Sequence, residues 1–86
     1  MCTYQTQMVD VTGSGWNAAE WFGLGRAVVS FDHPEDAALE HALVIDLRGR
    51  SGDPNERVAV ELDAASARRL ADAILVSLEP FEVSPR

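Results

Sequence analysis

RVAVELDAASARRLADAILVSL, from Arg57 to Leu78, decides the fold, because the spacing of its apolar residues changes once along its length. Arg57 to Leu62 alternates, with Val58, Val60 and Leu62 on one side and Ala59 and Glu61 on the other, as a strand with one buried face does. Beyond Asp63, Ala67, Leu70, Ala71, Ile74, Leu75 and Leu78 form the stripe of an amphipathic helix, opposed by Arg68, Arg69, Asp72 and Val76. Asp63 is the natural N-cap, accepting from free N–H groups of the first turn, and Pro80 stops the helix because it has no N–H to donate. The spacing predicts a helix over Ala64 to Glu79. At 1.5 Å per residue it would be ~24 Å long, enough to lie across four strands with its body in the core.

Working outward from this stretch, Gly49 to Glu56 (GRSGDPNE) has the composition of a turn between antiparallel strands. His41 to Arg48 (HALVIDLR) precedes it as a strand, with Leu43, Ile45 and Leu47 inward and Val44 and Asp46 outward. Arg26 to Phe31 is another, with Ala27, Val29 and Phe31 on one side, stopped at Asp32, His33 and Pro34. Cys2 to Thr12 is rich in β-branched and aromatic residues, but neither face is cleanly apolar. Cys2, Tyr4, Thr6 and Met8 share one side and Val9 and Val11 the other, which suits an edge strand or one that meets a partner subunit. Gly13, Ser14 and Gly15 break that pattern. Trp16 to Gly25 reads either as a short helical turn capped by Asn17 or as an ordered loop.

Short connections favour strands that are antiparallel neighbours in sequence order. The expected fold is α+β: a four-stranded antiparallel meander with one long C-terminal helix packed on one face, ββββα, in a single domain over residues 1–86. Residues 80–86 form a loose tail unless Phe81 or Val83 docks. A βαβ start, with Ala18 to Phe22 as crossover, is the alternative, but a crossover needs a dozen or more residues.

The chain has 86 residues, and a domain of this size buries only about two-thirds of its unfolded surface. Its one cysteine, Cys2, has no intramolecular partner, which suits a reducing cytoplasm. The sequence shows no basic leader followed by an apolar run, and no apolar stretch near the ~18 residues of a membrane span, so a soluble cytoplasmic protein is expected. Fourteen acidic residues stand against seven arginines, with no lysine, for a net charge of −7. Such a chain repels phosphate backbones and anionic lipid, which argues against nucleic-acid and membrane partners. Arg48, Arg50 and Arg57 flank one turn, yet Asp46, Asp53 and Glu56 lie beside them, and a solvated turn is the better reading than a basic patch.

The strand polarities of a meander bring Cys2, His33, His41 and the helix start at Asp63 to one end of the sheet. Cysteine and histidine bind zinc and other transition metals, and Asp32, Glu35 and Glu40 supply carboxylates nearby, so Cys2, His33 and His41 are the candidate metal ligands. No local pair such as CxxC or HxxxH supports the site, and the usual reading of such residues is a small buried thiol and a capping or solvent-facing strand-end histidine. A Cys2 thiolate favoured by a histidine and a helix N-terminus is a second reading. Trp16, Trp21 and Phe22 either close one side of the small core or form a contact surface. With Tyr4, Asp32 and Glu40 they are the candidate ligand or partner contacts. Gly13-Ser14-Gly15 and Gly23-Leu24-Gly25 lack the strand, glycine and helix order of a phosphate cradle, and no GxSxG elbow is present.

The start MCTYQTQMVDVTGSG, the FDHP at Phe31 to Pro34, the Glu40-His41 pair before LVIDL, and the end RVAVELDAASARRLADAI resemble a family of small actinobacterial proteins of unknown function. The resemblance spans nearly the whole chain and implies no activity, substrate or cofactor. The expectation from the residues is a non-enzymatic binding or accessory protein, self-associating as a homodimer that hides the sheet face or edge its single helix leaves uncovered.

Overall fold

The computed structural model describes residues 6–81. Strands β1 (Thr6–Trp16), β2 (Trp21–Asp32), β3 (Ala42–Gly49) and β4 (Arg57–Leu62) form one antiparallel sheet in sequence order, followed by helix α1 (Ala64–Leu78) and a 3₁₀ turn, Glu79–Phe81. The ββββα architecture is the one the apolar periods imply.

The register sorts the side chains cleanly. Val9 lies opposite Ala27, which lies opposite Leu47, which lies opposite Val58. The same face takes Val29, Ile45 and Val60, and then Phe31, Leu43 and Leu62. Among the paired strand residues described, this face carries no charged side chain; Glu56 lies at its hairpin end, opposite Gly49. The other takes Asp10, Arg26, Arg48 and Arg57, then Met8, Val28, Asp46 and Ala59. Val9 thus belongs with the apolar face, whereas the alternation within β1 alone leaves its side open.

The first hairpin departs from expectation. Gly13 to Gly15 does not end β1, and Trp16 to Gly25 is not a helical turn: β1 runs on to Trp16 and β2 starts at Trp21. The reason is the turn chemistry at Asn17. Its Oδ1 accepts from the N–H groups of Ala19 (3.0 Å) and Glu20 (2.9 Å), its own N–H donates to the Glu20 carbonyl (3.2 Å), and Ala18 takes φ 78°. An asparagine can cap a helix or close a tight turn with the same oxygen, and here it closes the turn. Gly15 stays in the strand because a Cβ there would sit 3.1 Å from the Phe22 ring and 3.2 Å from Leu24.

Register shifts between Asp10 and Gly13 on β1, and between Leu24 and Arg26 on β2, bend the sheet, as bulges do. The bend brings β1 toward β4 and lets the Asn17 side chain donate to the Asn55 carbonyl in the β3–β4 turn (2.8 Å). Phe22 (6% exposed) and Leu24 (9%) lie inside this curl with Gly15 and Gly49.

The helix requires a correction. Asp63 caps it as expected, accepting from the Ser66 N–H at 2.7 Å. Its stripe, however, is not laid in the core. Ala64, Ser66 and Ala67 are half-buried, and every residue from Arg68 to Phe81 is exposed. Ala64, Ala67 and Arg68 line a pocket with Phe31 and Leu43 at the corner of the sheet, and from Arg68 onward α1 is exposed. A single residue, Asp63, joins β4 to α1, so the direction of the chain leaving β4 is passed directly to the helix. Periodicity identifies a buried stripe but not which surface buries it.

Candidate functional site

The end of the sheet where β2 stops and β3 starts gathers the chemically distinctive side chains, as the meander requires. Phe31, His41 and His33 form a column of rings: Phe31 and His41 have centroids 5.7 Å apart at 24°, and His41 and His33 4.8 Å apart at 27°. The loop between these strands is held in place by side chains. Asp32 Oδ1 accepts from the His33 N–H (2.7 Å), and His33 Nδ1 lies 3.1 Å from the Glu40 carbonyl oxygen. A carbonyl only accepts, so this contact fixes the His33 proton on Nδ1.

Glu61, on the polar face of β4, is the principal anchor of that loop. Its carboxylate accepts from three consecutive backbone N–H groups, those of Glu35 (2.6 Å), Asp36 (3.0 Å) and Ala37 (2.9 Å). The donors of Ala37, Glu35 and Asp36 hold the Glu61 carboxyl below the ordinary glutamate range. Alternation places Glu61 outward but cannot show that a loop 24 to 26 residues away wraps its N–H groups around it.

The arginines of the β3–β4 turn do not form a free basic patch. Arg48 reaches Asp46 with two nitrogens, at 3.0 and 3.1 Å, and Arg57 reaches the same carboxylate at 3.0 Å. Partial burial pushes the Asp46 carboxyl up, but hydrogen bonds from Arg48 and Arg57, with their charges, outweigh it and hold the group low. Arg50 extends along Gly23 and Gly25, where any Cβ would collide with it. Glu56 accepts from the Ser51 hydroxyl at 2.6 Å. The turn is therefore charge-compensated, as its acidic neighbours suggest.

Of the candidate ligands, His33 and His41 are brought together and Cys2 lies outside the described residues, as does Tyr4. The two imidazoles stack on one another. Among the described residues no group of three or more His, Cys, Asp or Glu side chains is arranged to hold a metal ion. Asp32 and Glu40 both contact His33 and serve the loop. Trp16 and Trp21 pair across the end of the first hairpin with ring centroids 5.6 Å apart, 49% and 68% exposed. Phe22, their neighbour, is instead in the core, because Gly15 and Gly49 leave room for its ring.

The largest chemical feature is apolar. Along α1 and its terminal turn, Leu70 (42% exposed), Ile74 (51%), Leu75 (64%), Leu78 and Phe81 (73%) face water. Phe31, Val9 and Val60 on the uncharged sheet face are also exposed, and Val29, Leu43, Ile45, Leu47, Val58 and Leu62 are only half-buried. Single exposed apolar residues are ordinary, but two contiguous apolar surfaces on so small a chain are not. No described helix is long and apolar enough to cross a membrane.

A bent antiparallel sheet with one polar and one incompletely covered apolar face, followed by a projecting amphipathic helix, defines the class of this molecule. The chain belongs to DUF6295, a family of unknown function, whose match covers residues 1–85. No curated protein and no solved structure matches it.

Proposed function

We propose that the chain is a non-enzymatic binding or accessory protein whose working form is a homodimer. The observation that carries this reading is the pair of apolar surfaces, the α1 stripe and the uncharged sheet face, which the fold places in one chain without covering either. Isolated helices of 12 to 15 residues or fewer are marginal in water even with good sequences. The projecting part of α1, from Arg68 to Leu78, needs tertiary packing to persist, and a second copy supplies it. The polar face, with the Asp46 arginine cluster and the Glu61-anchored loop, then points outward. There the exposed Trp16 and Trp21 pair, with Asp32 and Glu40 at the far end, is the surface offered to a ligand or protein partner.

Light scattering across a dilution series tests the assembly. The expected mass at micromolar concentration is twice that of the 9.4 kDa chain. A single-chain mass at every concentration up to the millimolar range would remove the homodimer from the account.

A further inference from the structure

The uncovered surfaces also specify how two copies meet. Over all 86 residues, the ten outside the described range included, the chain exposes 6656 Å², whereas a folded monomer of 9.4 kDa exposes about 5,000 Å². Its radius of gyration is 14.3 Å against about 12 Å for a compact chain of this length. Half of the surplus area already equals the ~800 Å² each partner contributes to an interface of ordinary size. The excess is of the magnitude a stable dimer consumes.

Four arrangements could use it. Edge-to-edge pairing of sheets would leave both apolar surfaces wet, and the edges are poor templates: β1 is interrupted by its bulge and β4 has six residues. Stacking two sheets would cover Val60 and Ile45 but leave Ile74 and Leu75 in water. Pairing two helices would do the reverse. Laying the helix of each copy on the sheet of the other covers both surfaces with one symmetric operation, which is the isologous contact that two-fold dimers use.

We infer that the dimer is reciprocal: the segment from Arg68 to Leu78 of each chain docks across the apolar sheet face of the other, with Ile74 and Leu75 against Ile45 and Val60. The inference rests on the homodimer proposed above and names what covers each face. The dimensions agree. Eleven helical residues span ~16 Å at 1.5 Å each, and four strands at ~4.8 Å spacing span ~14 Å. The chemistry agrees as well: the residues paired across the middle of the receiving face are uncharged, Arg69 and Asp72 stay on the helix side away from the stripe, and Arg68, which flanks Leu75, sits at the start of the segment where its long side chain can reach the rim. Ala64 and Ala67 stay beside Phe31 and Leu43 of their own chain, so the chains cross over after the first turn, at Arg68.

The test uses two full-length chains with different affinity tags, both carrying Cys2→Ser. One adds Val60→Cys on the sheet and the other Ile74→Cys on the helix. They are unfolded together, refolded as a mixture and treated with a short bis-maleimide. Reciprocal docking predicts that the species carrying both tags is the main product, several-fold above either same-tag product. A dominant sheet-to-sheet product would mean stacked sheets, and a dominant helix-to-helix product would mean paired helices. Either overturns reciprocal docking and leaves the homodimer standing. A dimeric mixture with no cross-link indicates edge pairing and also overturns it, whereas a monomeric mixture removes both readings. If a cysteine variant fails to fold, isotope-filtered NOEs in an equimolar mixture of labelled and unlabelled unmodified chains report the same contact. Cross-peaks between Ile74 of one chain and Ile45 of the other support the inference, and their absence in a dimer contradicts it.

Discussion

The two ends of the sheet hold large apolar side chains of the same kind in different states, Phe22 and Leu24 buried at one and Phe31 exposed at the other. At the hairpin end, Phe22 and Leu24 are buried because two bulges curl the sheet and two glycines, Gly15 and Gly49, make room for the Phe22 ring. At the helix end, Phe31, Val60 and the stripe of α1 are as apolar but exposed. Nothing in their side chains distinguishes them. What differs is the backbone: the curl gives the first end a cover from its own chain, and the direct passage from β4 through Asp63 carries the helix away from the second. The chain thus closes one part of its core and leaves another exposed.

Breaking the closed end should have the largest effect. Phe22→Ala removes the main ring of the curl, and truncations of this kind cost about 3–5 kcal/mol, a large share of the stability of a small domain. Urea unfolding should show a chain largely unfolded in water. A loss under 1 kcal/mol would mean the curl is not the core.

The corresponding change at the open end is Ile74→Asp. In a freestanding helix a surface substitution of this kind falls within about 0.5 kcal/mol. Docked against a partner, Ile74 is buried, and the substitution should cost about 2 kcal/mol or more in the concentration-dependent unfolding midpoint. The mass should fall to that of one chain while the hairpin end keeps its near-ultraviolet signature.

The turn at Asn17 offers a smaller change of opposite sign. Ala18 holds φ 78°, a region that costs an L-residue about 1 kcal/mol and glycine nothing. Ala18→Gly should raise the urea midpoint by an amount equivalent to ~1 kcal/mol or less, part being lost to the greater freedom of glycine when unfolded. A lower midpoint would indicate that the left-handed residue carries no strain.

Acid should act mainly on the loop beside the open end. Glu61 is held below its ordinary range by three N–H donors, so its contribution is fully present above the unfolded value near ~4.3 and is lost as pH falls through the lower folded value. Exchange of the Glu35, Asp36 and Ala37 amides, followed from neutral pH into the acid range, should accelerate beyond the intrinsic rate change only once pH has fallen below the ordinary glutamate value. Glu61→Gln should remove that extra pH dependence.

The limits of legibility follow the same division. Alternation in His41 to Arg48 and Arg57 to Leu62, the change of period at Asp63 and the turn composition at Gly49 to Glu56 gave the strand order and the helix, because each is a local pattern with one physical solution. Trp16 to Gly25 was ambiguous because Asn17 caps a helix or closes a turn with equal ease, and only the pairing of Gly15 with Phe22 decides between them. The stacking of His33 on His41 was legible as proximity but not as geometry. Glu61 was read as an outward carboxylate, since its partners are backbone donors that no residue type announces. The stripe of α1 is legible as a stripe but its exposure is not, since periodicity groups apolar residues on one face and says nothing of what lies against it.

Backbone hydrogen exchange along α1 in the unmodified protein tests the central claim most directly. Amides from Leu70 to Leu78 should be protected well beyond the level of an isolated helix, and their protection should rise with protein concentration, because a second copy supplies the packing. Amides that exchange at near-intrinsic rates at every concentration, beside a well-protected Phe22 and Leu24, would show that α1 has no partner of its own kind and would contradict the account.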